Sequence, residues 1–109
     1  MELSDGRLLR IFLAEDDSYG EEPLYEAILR LAQDMKMAGA TVLRGFRGYG
    51  PSSRQVKHFL RTTEARPLVV EIIDSEEKID RFLPMVEEVL DGGAMTIEKV
   101  TFCAHEPKR

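Results

Sequence analysis

The fold of this chain follows from the stretch Leu68-Val-Val-Glu-Ile-Ile73, which comes directly after Pro67. It is apolar at every position except Glu71, and it is much shorter than a stable helix. A short apolar run rich in β-branched side chains is typical of a strand that is covered on both faces. We therefore predict a strand in the centre of a sheet.

A helix and a strand are predicted on the C-terminal side of this stretch. Asp74 or Ser75 can cap the helix, and Glu77 completes a capping box with Asp74. The apolar stripe of the helix consists of Ile79, Phe82, Leu83, Val86, Val89 and Leu90. Asp91-Gly92-Gly93 then ends the helix, and residues 96–103 form the last predicted strand.

A strand, a helix and a second strand are predicted on the N-terminal side. Residues 7–14 are dense in large apolar side chains and are predicted to be a buried strand. In the following helix, one face carries Leu24, Ile28, Leu31, Ala32 and Met35. Gly39 is expected to end that helix. Residues 40–49 are predicted to form a strand that bends or bulges at its glycines, before a polar excursion over residues 51–66.

This order, β-α-β-β-α-β, predicts an α+β, ferredoxin-like fold. In that fold two helices cover one face of a four-stranded antiparallel sheet. We expect one domain over residues 1–109, with its core at about 7–104 and a loop at about 50–66.

The last predicted strand is apolar or β-branched on both faces. Strand alternation places Ile97 and Thr101 on one face and Val100 and Phe102 on the other. One layer of helices covers only one of these faces, so we expect the chain to associate with copies of itself through the open face of the sheet.

The composition is that of an ordinary water-soluble protein, with 43% hydrophobic and 32% charged residues. Cys103 is the only cysteine, so no disulfide can form within the chain. The N-terminus lacks the basic and apolar regions of a signal peptide, and no apolar run approaches the roughly 18 residues of a membrane span. These features predict a protein of the reducing cytoplasm.

Positive charge is concentrated in one region of an acidic chain. The net charge is −5, yet residues 44–66 contain six basic residues and one acidic residue, a local charge of +5. The remainder therefore carries −10, which disfavours nucleic acid as a partner. The basic region is interpreted as a site for a small anion, and the alternative is a solvated loop with no ligand.

Several segments resemble the PII-like proteins known as domain of unknown function 190. The likeness covers about residues 7–103, and its most specific part is the strand entry and glycine-rich exit between Ala38 and Gly50. The segments that carry it are Arg10-Ile-Phe-Leu-Ala-Glu15, Leu24-Tyr-Glu-Ala-Ile28, Ala38-Gly-Ala-Thr-Val-Leu-Arg-Gly45, Gly48-Tyr-Gly50, Pro67-Leu-Val-Val-Glu-Ile-Ile-Asp74 and Lys78-Ile79.

That family is similar to the PII signalling proteins, which are trimers of ferredoxin-like subunits with adenine nucleotides bound in the clefts between subunits. The resemblance implies a homotrimeric regulatory protein here. Gly39-Ala40-Thr41-Val42 matches the PII strand entry that contacts the base of the ligand. The loop at residues 50–66 corresponds to the one that reaches the partner protein, and a membrane transporter or channel is the partner that the analogy suggests.

The chain also departs from the PII pattern at two places. Asp91-Gly92-Gly93-Ala94 stands where PII proteins carry a longer clamp for phosphate, rich in glycine and lysine. Residues 51–66 contain no tyrosine, so uridylylation of this loop is not expected.

The predicted ligand-binding residues are Thr41, Arg44, Arg47, Gly48, Gly50, Gly92 and Gly93. Glycines let backbone N–H groups approach phosphate oxygens closely, and arginine binds anions through paired hydrogen bonds. Two alternatives stay open. The glycines near Arg44 can serve a β-bulge, and Thr41 is a good strand former in its own right.

No catalytic or metal-binding pattern stands out. The acidic turn Glu15-Asp16-Asp17 is expected to be solvated, and His58, Cys103 and His105 lack the spacing of zinc ligands. No catalytic triad, P-loop or dinucleotide fingerprint occurs. We expect no enzymatic activity, no cofactor and no metal, with an adenine nucleotide as the expected ligand. A trimeric interaction scaffold without a ligand and a hydrolase of small anions remain as alternatives.

Overall fold

The computed structural model describes residues 1–51, 65–105, 107 and 108. Most of the predicted loop at residues 50–66 lies outside these ranges. The elements in chain order are β1 (Ser4–Ala14), β2 (Ser18–Tyr19), β3 (Glu22–Pro23), α1 (Leu24–Asp34), β4 (Gly39–Arg44), β5 (Pro67–Asp74), α2 (Glu76–Val89) and β6 (Ala94–Phe102). Neither helix of this described part is long and apolar enough to cross a bilayer.

The main sheet has four antiparallel strands in the order β4-β5-β1-β6. The predicted ferredoxin-like arrangement is thereby confirmed, and so is the central position of the stretch at residues 68–73, which lies within β5. Strands β2 and β3 form a separate two-stranded ribbon that the sequence analysis did not predict.

The hydrophobic core lies between one face of the sheet and the two helices. Every second residue of β1 and β5 faces it, and the helices contribute their apolar stripes. The members of the core are Leu9, Ile11, Leu13, Leu68, Val70, Ile72, Leu24, Ile28, Ala32, Ile79, Phe82 and Val86. Burying one such side chain contributes roughly 1.5 to 3 kcal/mol, so this face holds the fold together.

Neither α1 nor α2 covers the opposite face of the sheet, which carries a row of charges at its centre. Arg10 of β1 donates hydrogen bonds to Glu71 of β5 at 2.9 Å and to Glu98 of β6 at 2.8 Å. The hydrogen bond to Glu71, followed by the contacts with Glu98, raises the pKa of Arg10. Apolar groups flank this row, including Phe12 at 38% exposure and Leu43 at 46%.

The two faces of β6 differ as the alternation predicts. Ile97 pairs with the core residue Leu9, whereas Val100 pairs with Gly6 on the open face. The ring of Phe102 lies across Gly6, where an added Cβ would come within 2.5 Å of the ring carbon Cε1. Apolar residues therefore remain on the face that the helices do not cover.

The first helix ends earlier than predicted. Helix α1 stops at Asp34, and Lys36 takes a left-handed conformation with φ of 58°. Gly39, the predicted end of the helix, instead begins β4. The turn is closed locally, because the N–H groups of Lys36 and Met37 donate to the carbonyls of Gln33 and Ala32, each at 3.0 Å. Beyond this turn, the backbone N–H of Ala38 donates to Oδ2 of the buried Asp74 at 2.7 Å.

Ser75, and not Asp74, caps helix α2. Its Oγ accepts a hydrogen bond from the Lys78 N–H at 3.2 Å. The predicted capping box of Asp74 with Glu77 is therefore wrong. The Asp74 carboxylate instead accepts hydrogen bonds from the N–H groups of Ala38 and Ser75, each at 2.7 Å.

Replacing Asp74 by Ala is expected to lower the free energy of unfolding by about 3 kcal/mol, because two backbone donors lose a charged acceptor in a buried position. Urea denaturation followed by circular dichroism measures this change. Asp80→Ala, at an exposed position of α2, is the control and should cost less than about 0.5 kcal/mol. A loss below about 1 kcal/mol in Asp74→Ala would contradict this account of the turn.

Candidate functional site

Residues 45–51, called the 45–51 segment below, leave the sheet at the end of β4. The predicted strand over residues 40–49 is thus too long, since β4 ends at Arg44. The N–H of Gly45 still donates to the Pro67 carbonyl at 2.7 Å. A Cβ on Gly45 would come within 2.9 Å of Cγ of Pro67, so glycine permits this close approach.

The far end of the 45–51 segment meets the Gly92-Gly93 turn, which connects α2 to β6. The N–H of Gly93 donates to the carbonyl of Pro51 at 2.6 Å. Both glycines have positive φ, 91° for Gly92 and 86° for Gly93. A Cβ on Gly93 would lie 2.8 Å from the backbone oxygen of Phe12, so space and backbone conformation both require glycine there.

Arg44 is engaged by an acidic residue. Its Nη2 lies 2.5 Å from Oε2 of Glu15, the residue that follows β1. The backbone N–H of Glu15 donates to the carbonyl of Arg66 at 2.8 Å, which holds the end of β1 beside the start of β5. The sequence analysis did not foresee this ion pair, because the two residues are 29 positions apart.

Thr41 and Arg44 lie on opposite faces of β4. Val42 pairs with the core residue Val70 and packs against the core, so Arg44, two residues later, is on the helix side. Thr41 pairs with Glu71 and is on the open face. Because β4 is an edge strand, both faces border the same outer edge of the sheet.

Arg47 and two aromatic residues stand exposed on the 45–51 segment. In the parts of the chain that the structure describes, Arg47 forms no ion pair. Phe46 is 82% exposed and Tyr49 is fully exposed. Sequence reasoning assigned these aromatic residues to a strand and so did not consider them for the site.

Close packing does not require glycine at positions 48 and 50. A Cβ on Gly48 would meet Pro67 at 3.4 Å, an ordinary contact, and a Cβ on Gly50 would meet nothing within 4 Å. Gly48 is exposed, so its backbone is open to a ligand.

The predicted site residues thus fall into two groups. The structure joins the 45–51 segment, with Arg47, Gly48 and Gly50, to the Gly92-Gly93 turn through Pro51. Thr41 and Arg44 are set apart from these residues, Thr41 on the open face and Arg44 on the helix side, where it pairs with Glu15. The resulting surface offers the Arg47 guanidinium group and the exposed backbone of Gly48, which suit an anion.

Two other features bear on a binding role. A groove of about 200 Å³ between α1 and the start of β4 is lined by Leu29, Ala32, Gln33, Met37 and Ala40, and it contains none of the predicted site residues.

Over residues 1–51, 65–105 and 107–108, no three His, Cys, Asp or Glu side chains come together in a way that could hold a metal ion.

Comparison with known sequences identifies relatives along most of the chain. The family model of domain of unknown function 190, described as "Uncharacterized ACR", matches residues 6–102. A UPF0166 protein of Aquifex aeolicus is 43% identical over 95 residues, which cover 86% of this chain and 90% of the relative. A UPF0166 protein of Methanocaldococcus jannaschii is 32% identical over 97 residues, covering 89% of this chain and 88% of the relative.

Solved structures with the same fold include PII-like proteins. CPII of Thiomonas intermedia K12, in a structure with ADP, AMP and acetate, superposes with a TM-score of 0.61 at 16% identity, covering 94% of this chain and 93% of the other. A PII-like signalling protein of Thermus thermophilus gives a TM-score of 0.63 at 19% identity, with coverages of 94% and 93%. At these identities the likeness concerns the fold alone.

The resemblance predicted from the segments between Arg10 and Ile79 is therefore confirmed by a family match that spans nearly all of the described sheet and both helices. This chain belongs to the family of domain of unknown function 190.

Proposed function

We propose that this protein is a cytoplasmic, PII-like regulatory protein that binds an adenine nucleotide or a similar small anion and does not catalyse a reaction. The ligand would lie against the 45–51 segment and the Gly92-Gly93 turn. Arg47 supplies the charge, and Gly48 lets the backbone of the segment approach the phosphate oxygens.

The observation that carries this proposal is the hydrogen bond from Gly93 to Pro51, 2.6 Å long. It joins two glycine-containing turns that lie far apart in sequence, at the position where a basic segment leaves the sheet. The Gly93 N–H is bonded to Pro51, so the groups that this junction offers to a phosphate are the Arg47 guanidinium group and the exposed backbone of Gly48. The structure of CPII with ADP and AMP, a protein of the same fold, supports the choice of an adenine nucleotide.

We further propose that three copies of the chain associate through the open face of the sheet. The exposed Phe12 and Leu43 favour burial of this face. In a closed ring each edge strand lies beside a neighbouring copy, and the ligand would bind in the cleft between them. Thr41, on the open face of the edge strand β4, would then border the same cleft as Arg47.

A partner protein would be contacted through the loop at residues 50–66. A transporter or channel as that partner rests on the resemblance to PII proteins alone. The loop lies mostly outside the described residues, and the proposal for the ligand uses only its first two residues, Gly50 and Pro51.

Calorimetric titration of the protein with ATP, ADP, AMP and cyclic AMP tests the proposed ligand class. We expect at least one of them to bind with a Kd below about 1 mM, which corresponds to about −4.1 kcal/mol. If none binds, the trimeric scaffold without a ligand becomes the better account.

Incubation with ATP tests the proposed lack of catalysis. We expect phosphate release slower than about once per minute per subunit, far below the usual catalytic range. Faster release that depends on the protein would favour the small-anion hydrolase.

A further inference from the structure

The carboxylate of Glu15 forms an ion pair with Arg44, which is one of the predicted ligand-binding residues. Oε2 of Glu15 lies 2.5 Å from Nη2 of Arg44. Glu15 directly follows β1 and Arg44 is the last residue of β4. The pair reaches across the start of β5, where Pro67 pairs with Ala14 and Leu68 pairs with Arg44.

This ion pair can be broken readily, because it is exposed and rests on one contact. The side chains of Arg44 and Glu15 are 61% and 31% exposed, and a single nitrogen–oxygen contact joins them. Across the described ranges, no second donor holds the Glu15 carboxylate. Exposed pairs of this kind are weak, whereas a phosphate group offers several oxygens and more negative charge to the same guanidinium group.

We propose that Glu15 sets the anion affinity of the site by competing with the ligand for Arg44. The inference rests on the proposed function, because it requires an anion at the 45–51 segment. In the free protein Glu15 neutralises Arg44, and Arg47 is the guanidinium group that remains available on the segment. A bound anion displaces Glu15 from Arg44 and then binds the guanidinium groups of both Arg44 and Arg47. The free energy of breaking the Glu15–Arg44 ion pair lowers the net affinity for the anion.

Competition and positioning predict opposite effects of Glu15. If Glu15 served to orient Arg44 for the ligand, its removal would weaken binding. If it competes, its removal frees Arg44 and also takes a negative charge away from the approaching anion, so binding becomes tighter. The sign of the change in affinity therefore decides between the two roles.

The test is calorimetric titration of Glu15→Gln with ADP and with inorganic pyrophosphate. The substitution keeps the shape of the side chain and removes its charge. We expect both probes to bind at least about threefold more tightly than to the wild type at low ionic strength. The gain should shrink in about 1 M salt, where charges are screened within about 3 Å. Unchanged or weaker binding to Glu15→Gln overturns the proposal.

Glu22→Gln is the matched control. Glu22 forms an exposed ion pair with Arg30 on α1, and the hydrogen bonds from Arg30 lower its pKa. This variant also removes one negative charge and one ion pair, but at a position outside the candidate site. We expect the affinity of Glu22→Gln for both probes to equal that of the wild type, and an equal gain in the two variants would show an effect of net charge only and overturn the proposal.

A double-mutant cycle with Arg44→Gln tests whether Glu15 acts through Arg44. The gain from Glu15→Gln should be smaller in the Arg44→Gln background, and an equal gain there would contradict competition. If neither the wild type nor Glu15→Gln binds either probe below about 1 mM, the proposed function itself fails. If both bind with the same affinity, the proposed function stands and the role of Glu15 fails.

Discussion

Replacing Arg10 by Glu is expected to convert the proposed homotrimer into monomers. Arg10 lies between Glu71 and Glu98 at the centre of the open face, and its positive charge compensates theirs in part. The substitution turns a cluster of net charge −1 into one of −3 in every copy. Three such clusters meeting at one interface would repel each other strongly, because they lose water and have no remaining counter-charge.

Light scattering coupled to size-exclusion chromatography measures the outcome at micromolar protein. We expect the wild type at three times the subunit mass of 12.4 kDa and Arg10→Glu at one subunit mass. Circular dichroism checks that the variant is folded, and Arg10→Met, which removes the charge without reversing it, provides a second variant. Arg30→Glu makes the same change of charge on α1 and should remain trimeric. A wild-type monomer, or a folded Arg10→Glu trimer, would contradict assembly through this face.

Replacing Arg47 by Glu is expected to weaken ADP binding by at least about tenfold, or about 1.4 kcal/mol, and to leave the trimer intact. Arg47 is exposed on the 45–51 segment, and within the described residues it has no ion pair that the substitution would break. The change removes an attractive charge and adds a repulsive one, so its effect should exceed that of neutralising the residue.

Calorimetry with ADP compares Arg47→Glu with Arg30→Glu, which matches its change of net charge. We expect the affinity of Arg30→Glu to stay within about twofold of the wild type, since Arg30 lies on α1 and pairs with Glu22. If Arg47→Glu binds ADP as well as the wild type does, the anion is held elsewhere on the protein.

The sheet and the core could be predicted from the sequence because their signals are local. The apolar run of β5 and the helical spacing of Leu24 and Ile28 depend only on neighbouring residues, and the structure places Leu24, Ile28 and the inward-facing residues of β5 in the core. Long-range contacts decide what was missed. Asp74 does not form the predicted capping box, because its carboxylate accepts from Ala38, 36 positions away. No local pattern indicates such a contact.

The candidate site could be predicted only in part for the same reason. The glycines and arginines of the 45–51 segment were visible in the sequence, and so was the Gly92-Gly93 turn. Their junction depends on the hydrogen bond from Gly93 to Pro51, which only the folded chain forms. Phe46 and Tyr49 were assigned to a strand, because aromatic residues favour strands, although β4 ends before them.

A crystal structure of the protein grown with ADP tests the central claim most directly. We predict nucleotide density in the cleft between two copies, with phosphate groups beside Arg47 and the Gly92-Gly93 turn and one ligand for each subunit of a three-fold assembly. An empty cleft at saturating ADP, or nucleotide bound away from the 45–51 segment, would contradict the account.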